Sequence, residues 1–234
     1  MPTDTTTTTL AVVGTGTGVG KTVVTAGLTG RLRDAGVDAL AVKPCQSGHP
    51  PDDDAAFVRA ACEDPDAAVC PQYLEPALAP RVAAERDDVD LSYETVRDDA
   101  ASALAGAGDV GLLEGIGGLR VPLAGDREVV DLVADLADAA VVVARSGLGT
   151  LNHSALTVDA LRAVDVPVTG VVLNDHADDT VAERTNPREL ERMTGVAVHT
   201  LPHLAVDDDP TAAVAGVREH LDANVYPQDG SFSN

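Results

Sequence analysis

Two lysines stand out in a chain that otherwise takes its positive charge from arginine. Of 16 basic residues only Lys21 and Lys43 are lysines, leaving 14 arginines. Lys21 sits in Gly14-Thr15-Gly16-Thr17-Gly18-Val19-Gly20-Lys21-Thr22, directly after the apolar run Leu10 to Val13. Glycines in such a loop let backbone N–H groups converge on phosphate oxygens, and a following helix adds free N–H groups and the positive end of its dipole. In this arrangement the lysine reaches the β- and γ-phosphates, and the next hydroxyl, here Thr22, ligates Mg²⁺. The spacing carries one irregularity. The strict pattern puts a glycine at position 15, where Thr15 stands, so that Gly14 leaves a five-residue gap before Gly20. The residues predict a nucleoside triphosphate site.

Lys43 follows a second apolar run, Val37 to Val42, and opens Lys43-Pro44-Cys45-Gln46-Ser47-Gly48. Ligands of open α/β sheets gather at the carboxyl ends of strands, which positions Lys43 and Ser47 for chemistry. Pro44 keeps Lys43 extended. Next come Asp52, Asp53 and Asp54, ahead of a helix pattern over Ala55 to Cys62. These carboxylates can cap that helix, or one can meet a hard cation; the sequence leaves the choice open. Glu114 ends a third apolar run, Val110 to Leu113, and is followed by Gly115-Ile116-Gly117-Gly118. An apolar strand ending in an acid is the general form of the second phosphate-site motif. A buried glutamate there without a cation would be costly. Cys45 has no activating base nearby in sequence and is expected to serve packing.

The rest of the chain supplies the frame for these groups. Helices are predicted over Gly20 to Ala35 with Gly36 as a left-handed cap, from Pro80 through Arg86, and from Ser92 to about Ala105. Further helices are predicted over Val129 to Leu136, Ser154 to Val164, Pro187 to Gly195 and Pro210 to Leu221. Between them Ala139 to Ala144, Val168 to Leu173 and Val196 to Leu201 read as strands, with Val69 to Leu74 a short strand or extended segment. Gly147-Leu148-Gly149-Thr150-Leu151-Asn152 forms a turn at a helix start, a potential anion cradle. Strands alternating with helices predict a single α/β domain, a parallel sheet with helices on both faces. The expected domain spans 10–224, with residues 1–9 and 225–234 as tails.

Composition excludes several function classes. A formal net charge of −22 argues against nucleic-acid binding and fits a protein adapted to a salt-rich cytoplasm. Three cysteines, an odd number without paired metal spacing, indicate a reducing compartment, and hence a cytoplasmic location. No apolar run approaches the ~18 residues of a membrane span, and Met1 to Thr9 lacks the basic region and apolar core of a leader. His199 and His203 are separated by Pro202, which spoils them as a zinc pair on one helix face.

Taken together, the phosphate loop with its five-residue gap, Lys43-Pro44-Cys45-Gln46-Ser47-Gly48 and Glu114-Gly115-Ile116-Gly117-Gly118 resemble dethiobiotin synthetase. Gly149-Thr150-Leu151-Asn152-His153 and the strand-end pair Asn174-Asp175 fit as well, and the resemblance runs from about residue 10 to 210. It implies an ATP- and Mg²⁺-dependent cyclo-ligase of biotin synthesis, converting 7,8-diaminononanoate, CO₂ and ATP to dethiobiotin, ADP and phosphate. It implies Lys43 and Lys21 as catalytic groups, Thr22, Asp54 and Glu114 as Mg²⁺ ligands, and Thr17 and Ser47 with Lys43 at the carbamate end. The nucleotide would lie on Gly18, Val19, Gly20, Lys21, Thr22 and Val23, with Gly115, Ile116 and Gly117 beside the phosphates. Asn174 and Asp175, with Pro202, His203 and Leu204, would flank the adenine. The substrate carboxylate would sit on Gly149, Thr150 and Asn152 of the other subunit of a homodimer. The chain departs from the family in carrying Gly16 and Gly18 where acids are frequent, and Ile116 where alanine is usual. Two alternatives belong to other classes: a partition- or septum-type switch ATPase, and another amide-forming P-loop ligase. The first carries a signature lysine where Gly16 stands, and the second normally adds a glutamine-hydrolysing domain for which 234 residues leave no room.

Overall fold

The computed structural model describes residues 7–222 and 225–226. Its first half runs β1 (Thr8–Gly14), α1 (Lys21–Asp34), β2 (Ala39–Val42), β3 (Gln46–Ser47), α2 (Asp54–Ala61), β4 (Ala68–Val69), β5 (Tyr73–Leu74), α3 (Pro80–Asp87), α4 (Tyr93–Leu104) and β6 (Val110–Glu114). The second half adds β7 (Pro122–Ala124), β8 (Arg127–Glu128), α5 (Val129–Leu136), β9 (Ala139–Arg145), α6 (Thr150–Arg162), β10 (Val168–Asn174), α7 (Val181–Thr194), β11 (Val198–Thr200) and α8 (Ala212–His220). Seven strands form one parallel sheet in the order β11-β10-β9-β1-β6-β2-β4. The predicted α/β architecture is the observed one.

Side chains along the central strands alternate between two apolar layers. Ala11 and Val13 of β1 join a layer with α4, α5, α6 and α7, while Leu10 and Val12 join one with α1, α2 and α8. Burial on both faces explains why these strands are continuous apolar runs rather than alternating ones. The sheet order also sets the site. β1 lies between β6 and β9, so the phosphate loop emerges beside the ends of both, and β2 flanks β6 on its far side.

Helix α1 approaches α8 closely through two glycines. A Cβ at Gly27 would lie 2.2 Å from Val217 Cγ2 and 2.7 Å from the Ala213 carbonyl oxygen; at Gly30 it would lie 2.4 Å from Val214 Cγ2. Because one obstacle is backbone, the clash at Gly27 cannot be relieved by a rotamer change. Gly27→Leu is therefore expected to cost about 1–3 kcal/mol through overpacking, lowering the Tm by roughly 5 °C at this chain length. A thermal melt checks it; an unchanged Tm would rule out this α1–α8 contact.

Several boundaries differ from the sequence expectation. β1 begins at Thr8, inside the stretch expected as a tail, because Thr9 N–H donates to Asp138 Oδ2 at 2.8 Å. At the other end Val225 and Tyr226 are buried, and the Val225 carbonyl accepts from Thr169 Oγ1 at 2.7 Å; the remaining tail positions, 1–6 and 227–234, lie outside the described residues. The stretch Val69 to Leu74 divides between sheets: β4 closes the main sheet while β5 pairs with β3. α6 starts at Thr150, not Ser154, because left-handed Gly149 ends the turn immediately before it. α7 starts at Val181 under a reciprocal Thr180–Glu183 capping box, so Pro187 lies inside the helix instead of starting it. The β7–β8 hairpin was not anticipated. Among the described residues no helix is long and apolar enough to cross a membrane.

Candidate functional site

The irregular spacing of the phosphate loop has a structural cause. Thr15 does not turn; it prolongs β1, donating its N–H to the Val143 carbonyl at 3.0 Å and forming an antiparallel bridge with Gly118. The turn falls later, at Gly18 and Gly20, whose φ values of +68° and +98° lie in the region that favours glycine. Gly20 also has Asn174 against it, where a Cβ would lie 2.1 Å from Nδ2. α1 then begins at Lys21 with no side-chain cap, leaving its first N–H groups to face the loop. Lys21 Nζ donates to the Gly16 carbonyl at 2.9 Å, inside its own loop. Burial and the neighbouring charge of Lys43 lower its pKa to about 8, against the opposing pull of Glu114 and Asp54.

Three further elements converge beside it. β6 and β2 are neighbours, with Val42 opposite Leu113, so their next residues, Lys43 and Glu114, emerge side by side. Lys43 Nζ lies 2.9 Å from Glu114 Oε1, 2.5 Å from Asp54 Oδ2 and 3.3 Å from the Gly115 carbonyl. Thr22 Oγ1 donates to the same Glu114 Oε1 at 2.9 Å. Burial disfavours the Lys43 ammonium, but Glu114 and Asp54 outweigh it and hold its pKa above the ordinary lysine value. Burial raises Glu114, and Lys43 offsets this only in part. Burial also opposes ionisation of Asp54, yet the charge of Lys43 and its hydrogen bond keep the Asp54 pKa below the usual range. The difference follows from exposure: the Glu114 side chain is 2% accessible and that of Asp54 28%.

The open choice among three aspartates is narrowed by the orientation of α2. Asp53 caps that helix, accepting from the Ala56 N–H at 2.8 Å, while Asp54 turns to Lys43. Thr22, Asp54 and Glu114 thus form an all-oxygen donor set. Among the described residues no group of three or more His, Cys, Asp or Glu gathers as a metal cage. Two carboxylates and a hydroxyl suit Mg²⁺, which keeps waters and takes phosphate oxygens for its remaining positions. Cys45 is buried, and burial pushes its thiol up to about 12, consistent with packing and not with nucleophilic attack.

These groups line a cavity of about 800 Å³. Its walls include Thr17, Gly18, Gly20, Lys21, Thr22, Val23, Lys43, Ser47, Asp54, Glu114, Ile116 and Gly117, together with Leu78, Ala79 and Val206. A smaller cavity of about 210 Å³ shares Gly18, Val23 and Val206 with it and is otherwise lined by Arg145, Asn174, Asp175, His203 and Leu204. In this second cavity His203 Nδ1 and Asp175 Oδ1 are 2.9 Å apart. The Val19 side chain is buried, and its carbonyl accepts from Asn174 Nδ2 at 3.2 Å. Pro202 lines neither cavity, and neither do Gly149, Thr150 and Asn152. Thr150 is buried against Ser154 at 3.4 Å, and His153, Leu156 and Thr157 of α6 line an adjoining groove of about 470 Å³ with Thr15 to Thr17 and Gly118 to Val121, sharing Thr17 and Val121 with the 800 Å³ cavity. No sequence motif singled out Arg145. The available signal was an apolar strand, Ala139 to Ala144, ending in a cation.

Comparison with known proteins fits this geometry. Residues 8–209 match a family described as AAA domain. The chain is 60% identical over 203 residues to the ATP-dependent dethiobiotin synthetase BioD of Haloferax mediterranei, covering 87% of each. It is 44% identical over 182 residues to the protein of that name from Anaeromyxobacter sp. strain Fw109-5, covering 76% of this chain and 81% of the relative. Among solved structures it is similar to the septum site-determining protein MinD complexed with Mg-ADP from Pyrococcus horikoshii, with a TM-score of 0.58, 15% identity, and coverage of 94% and 91%. A ParA family ATPase from Chlorobium tepidum gives a TM-score of 0.57 at 15% identity, covering 95% of each chain. At that identity the solved structures share the fold, whereas the sequence relatives match over most of the chain. The chain belongs to the dethiobiotin synthetase family.

Proposed function

We propose that the protein catalyses the ATP-dependent carboxylation and ring closure of 7,8-diaminononanoate to dethiobiotin, in the cytosol. The observation that carries this is the Lys43 ammonium, buried between Asp54 and Glu114 and opening on the same cavity as the phosphate loop. One substrate amine adds to CO₂ and loses a proton, giving a carbamate. A carbamate oxygen then attacks the γ-phosphorus and ADP departs. The second amine attacks the carbonyl carbon of the mixed anhydride, loses its proton, and phosphate leaves as the ring closes. Each step concentrates anionic oxygen, so fixed cations contribute most where charge develops.

Lys43, with Thr17 and Ser47, holds the carbamate end. Lys21 exchanges the Gly16 carbonyl for the β- and γ-phosphates. Thr22, Asp54 and Glu114 would hold Mg²⁺, which would supply charge neutralisation at the phosphates. Asn174, Asp175, His203 and Leu204 form the wall against the base. Gly149, Thr150 and Asn152 line no part of their own subunit's cavity, which suits a homodimer in which the partner's α6 start receives the substrate carboxylate.

Phosphate release decides between this reaction and a switch ATPase. Release is expected only when ATP, diaminononanoate and bicarbonate are all present. An equal rate without the diamine would overturn the proposed reaction.

A further inference from the structure

Arg145 and Asn174 are register partners on β9 and β10, at the carboxyl ends of adjacent strands. Both reach across to the phosphate loop, and they take successive carbonyls. Arg145 Nη2 donates to the Gly18 carbonyl at 3.0 Å, and Asn174 Nδ2 donates to the Val19 carbonyl at 3.2 Å. In a trans peptide the C=O and the N–H point in opposite directions. Holding the Gly18 oxygen outward therefore turns the Val19 N–H inward, and holding the Val19 oxygen outward does the same for the Gly20 N–H. Those inward N–H groups are what a phosphate loop presents to its ligand. At the turn itself the side-chain bonds among the described residues are these two and that of Lys21 Nζ to the Gly16 carbonyl; a Cβ at Gly16 would meet nothing within 4 Å, and one at Gly18 only Arg145 Nη2, at 3.4 Å.

We propose that Arg145 is a positioning residue for nucleotide binding: its guanidinium clamps the Gly18 carbonyl and so pre-orients the Val19 N–H toward the phosphates. The proposal rests on the nucleotide-binding reading above and extends it to a residue outside the loop. Of the 14 arginines, Arg145 alone lines either the 800 Å³ or the 210 Å³ cavity. A glycine-rich loop loses much conformational freedom when ordered, so a clamp already in place lowers what the ligand must supply. Arg145 also brings a positive charge, and the two contributions separate by salt. A long-range charge effect fades at molar ionic strength, where the Debye length is about 3 Å, whereas a hydrogen-bonded clamp persists.

The test is calorimetric binding of Mg·ADP to Arg145→Met and Arg145→Lys in 0.1 M and 2 M KCl, followed by steady-state kinetics with ATP. Arg145→Met is expected to weaken ADP binding about tenfold at both salt concentrations, with most of the kinetic loss in KM for ATP and less in kcat. Arg145→Lys, which keeps one donor at similar reach, is expected to recover most of the affinity. Unchanged ADP affinity in Arg145→Met would overturn the proposal while leaving the synthetase assignment standing. A defect that vanishes in 2 M KCl would overturn the clamp in favour of a charge effect. A wild-type protein that binds no nucleotide would overturn the proposal together with the reading beneath it.

Discussion

Lys43→Ala is expected to abolish dethiobiotin formation while nucleotide still binds. The phosphate loop, α1 and the small cavity at Asn174 do not depend on Lys43, so Mg·ADP affinity is expected to stay within about tenfold of wild type. The chemistry is lost because, among the described residues, Lys21 is the one other cationic side chain lining this cavity, and it is directed to the phosphates. The substitution also leaves Asp54 and the fully buried Glu114 adjacent without their shared cation. Removing one partner from a buried ion cluster costs about 3–5 kcal/mol, which corresponds to a Tm loss of roughly 10 °C in a chain of this size. Mg²⁺ is expected to return part of that loss in the variant, since a divalent cation would meet the two carboxylates. Lys43→Arg provides the control: the charge is kept, but a planar five-donor fork replaces a compact ammonium in a site shaped for three contacts. It should fold with near-normal Tm and turn over poorly. Near-normal turnover in Lys43→Ala would refute the catalytic assignment.

The second large effect concerns salt. With 38 acidic and 16 basic residues, the net charge is −22, and the folded state gathers that charge on one compact surface. The screening length is about 10 Å at 0.1 M and about 3 Å at 1 M, so repulsion spread over the surface weakens strongly across that range. The buried cluster at Lys43 is shielded from solvent and changes little. The Tm is expected to rise by about 10 °C or more between 0.1 M and 2 M KCl. The 60% identical relative from Haloferax mediterranei, a haloarchaeon, is consistent with that environment. Thermal melts across a KCl series measure it, and a flat profile would refute salt adaptation.

Much of the site was legible because its signals are local. An apolar run followed by glycines, Lys21 and Thr22 can be read without knowing the fold, and so can strands ending in Lys43 and Glu114. Parallel alternation then brings those ends to one edge of the sheet. What could not be read depends on orientation or register. Asp53 and Asp54 are adjacent, and only the rotation of α2 decides that one caps while the other faces Lys43. Arg145 meets Gly18 because β9 lies beside β1 with Gly14 opposite Val143, a pairing across 129 positions of chain. Pro187 misled for a different reason: proline favours a first helical turn, but the Thr180–Glu183 box fixed the start of α7 six residues earlier. Gly149, Thr150 and Asn152 were expected to serve the site of the other subunit, and they line neither the 800 Å³ nor the 210 Å³ cavity of their own.

The bridge between Thr15 and Gly118 makes the phosphate loop a ruler. One end is pinned to the sheet at Thr15, the other at Lys21 by the start of α1, and the glycine turn between them has a fixed span. Deleting one residue to restore the commoner spacing would not tighten the loop. It would draw the chain back by one position, and since strand side chains alternate, Thr15's successor would present the opposite face to Gly118. The segment carrying Glu114 to Gly118 and the segment carrying Lys21 are thereby kept at one separation. Loop length in this chain is thus tied to the strand-end bridge, and a loop of different spacing grafted here must carry its own bridge with it.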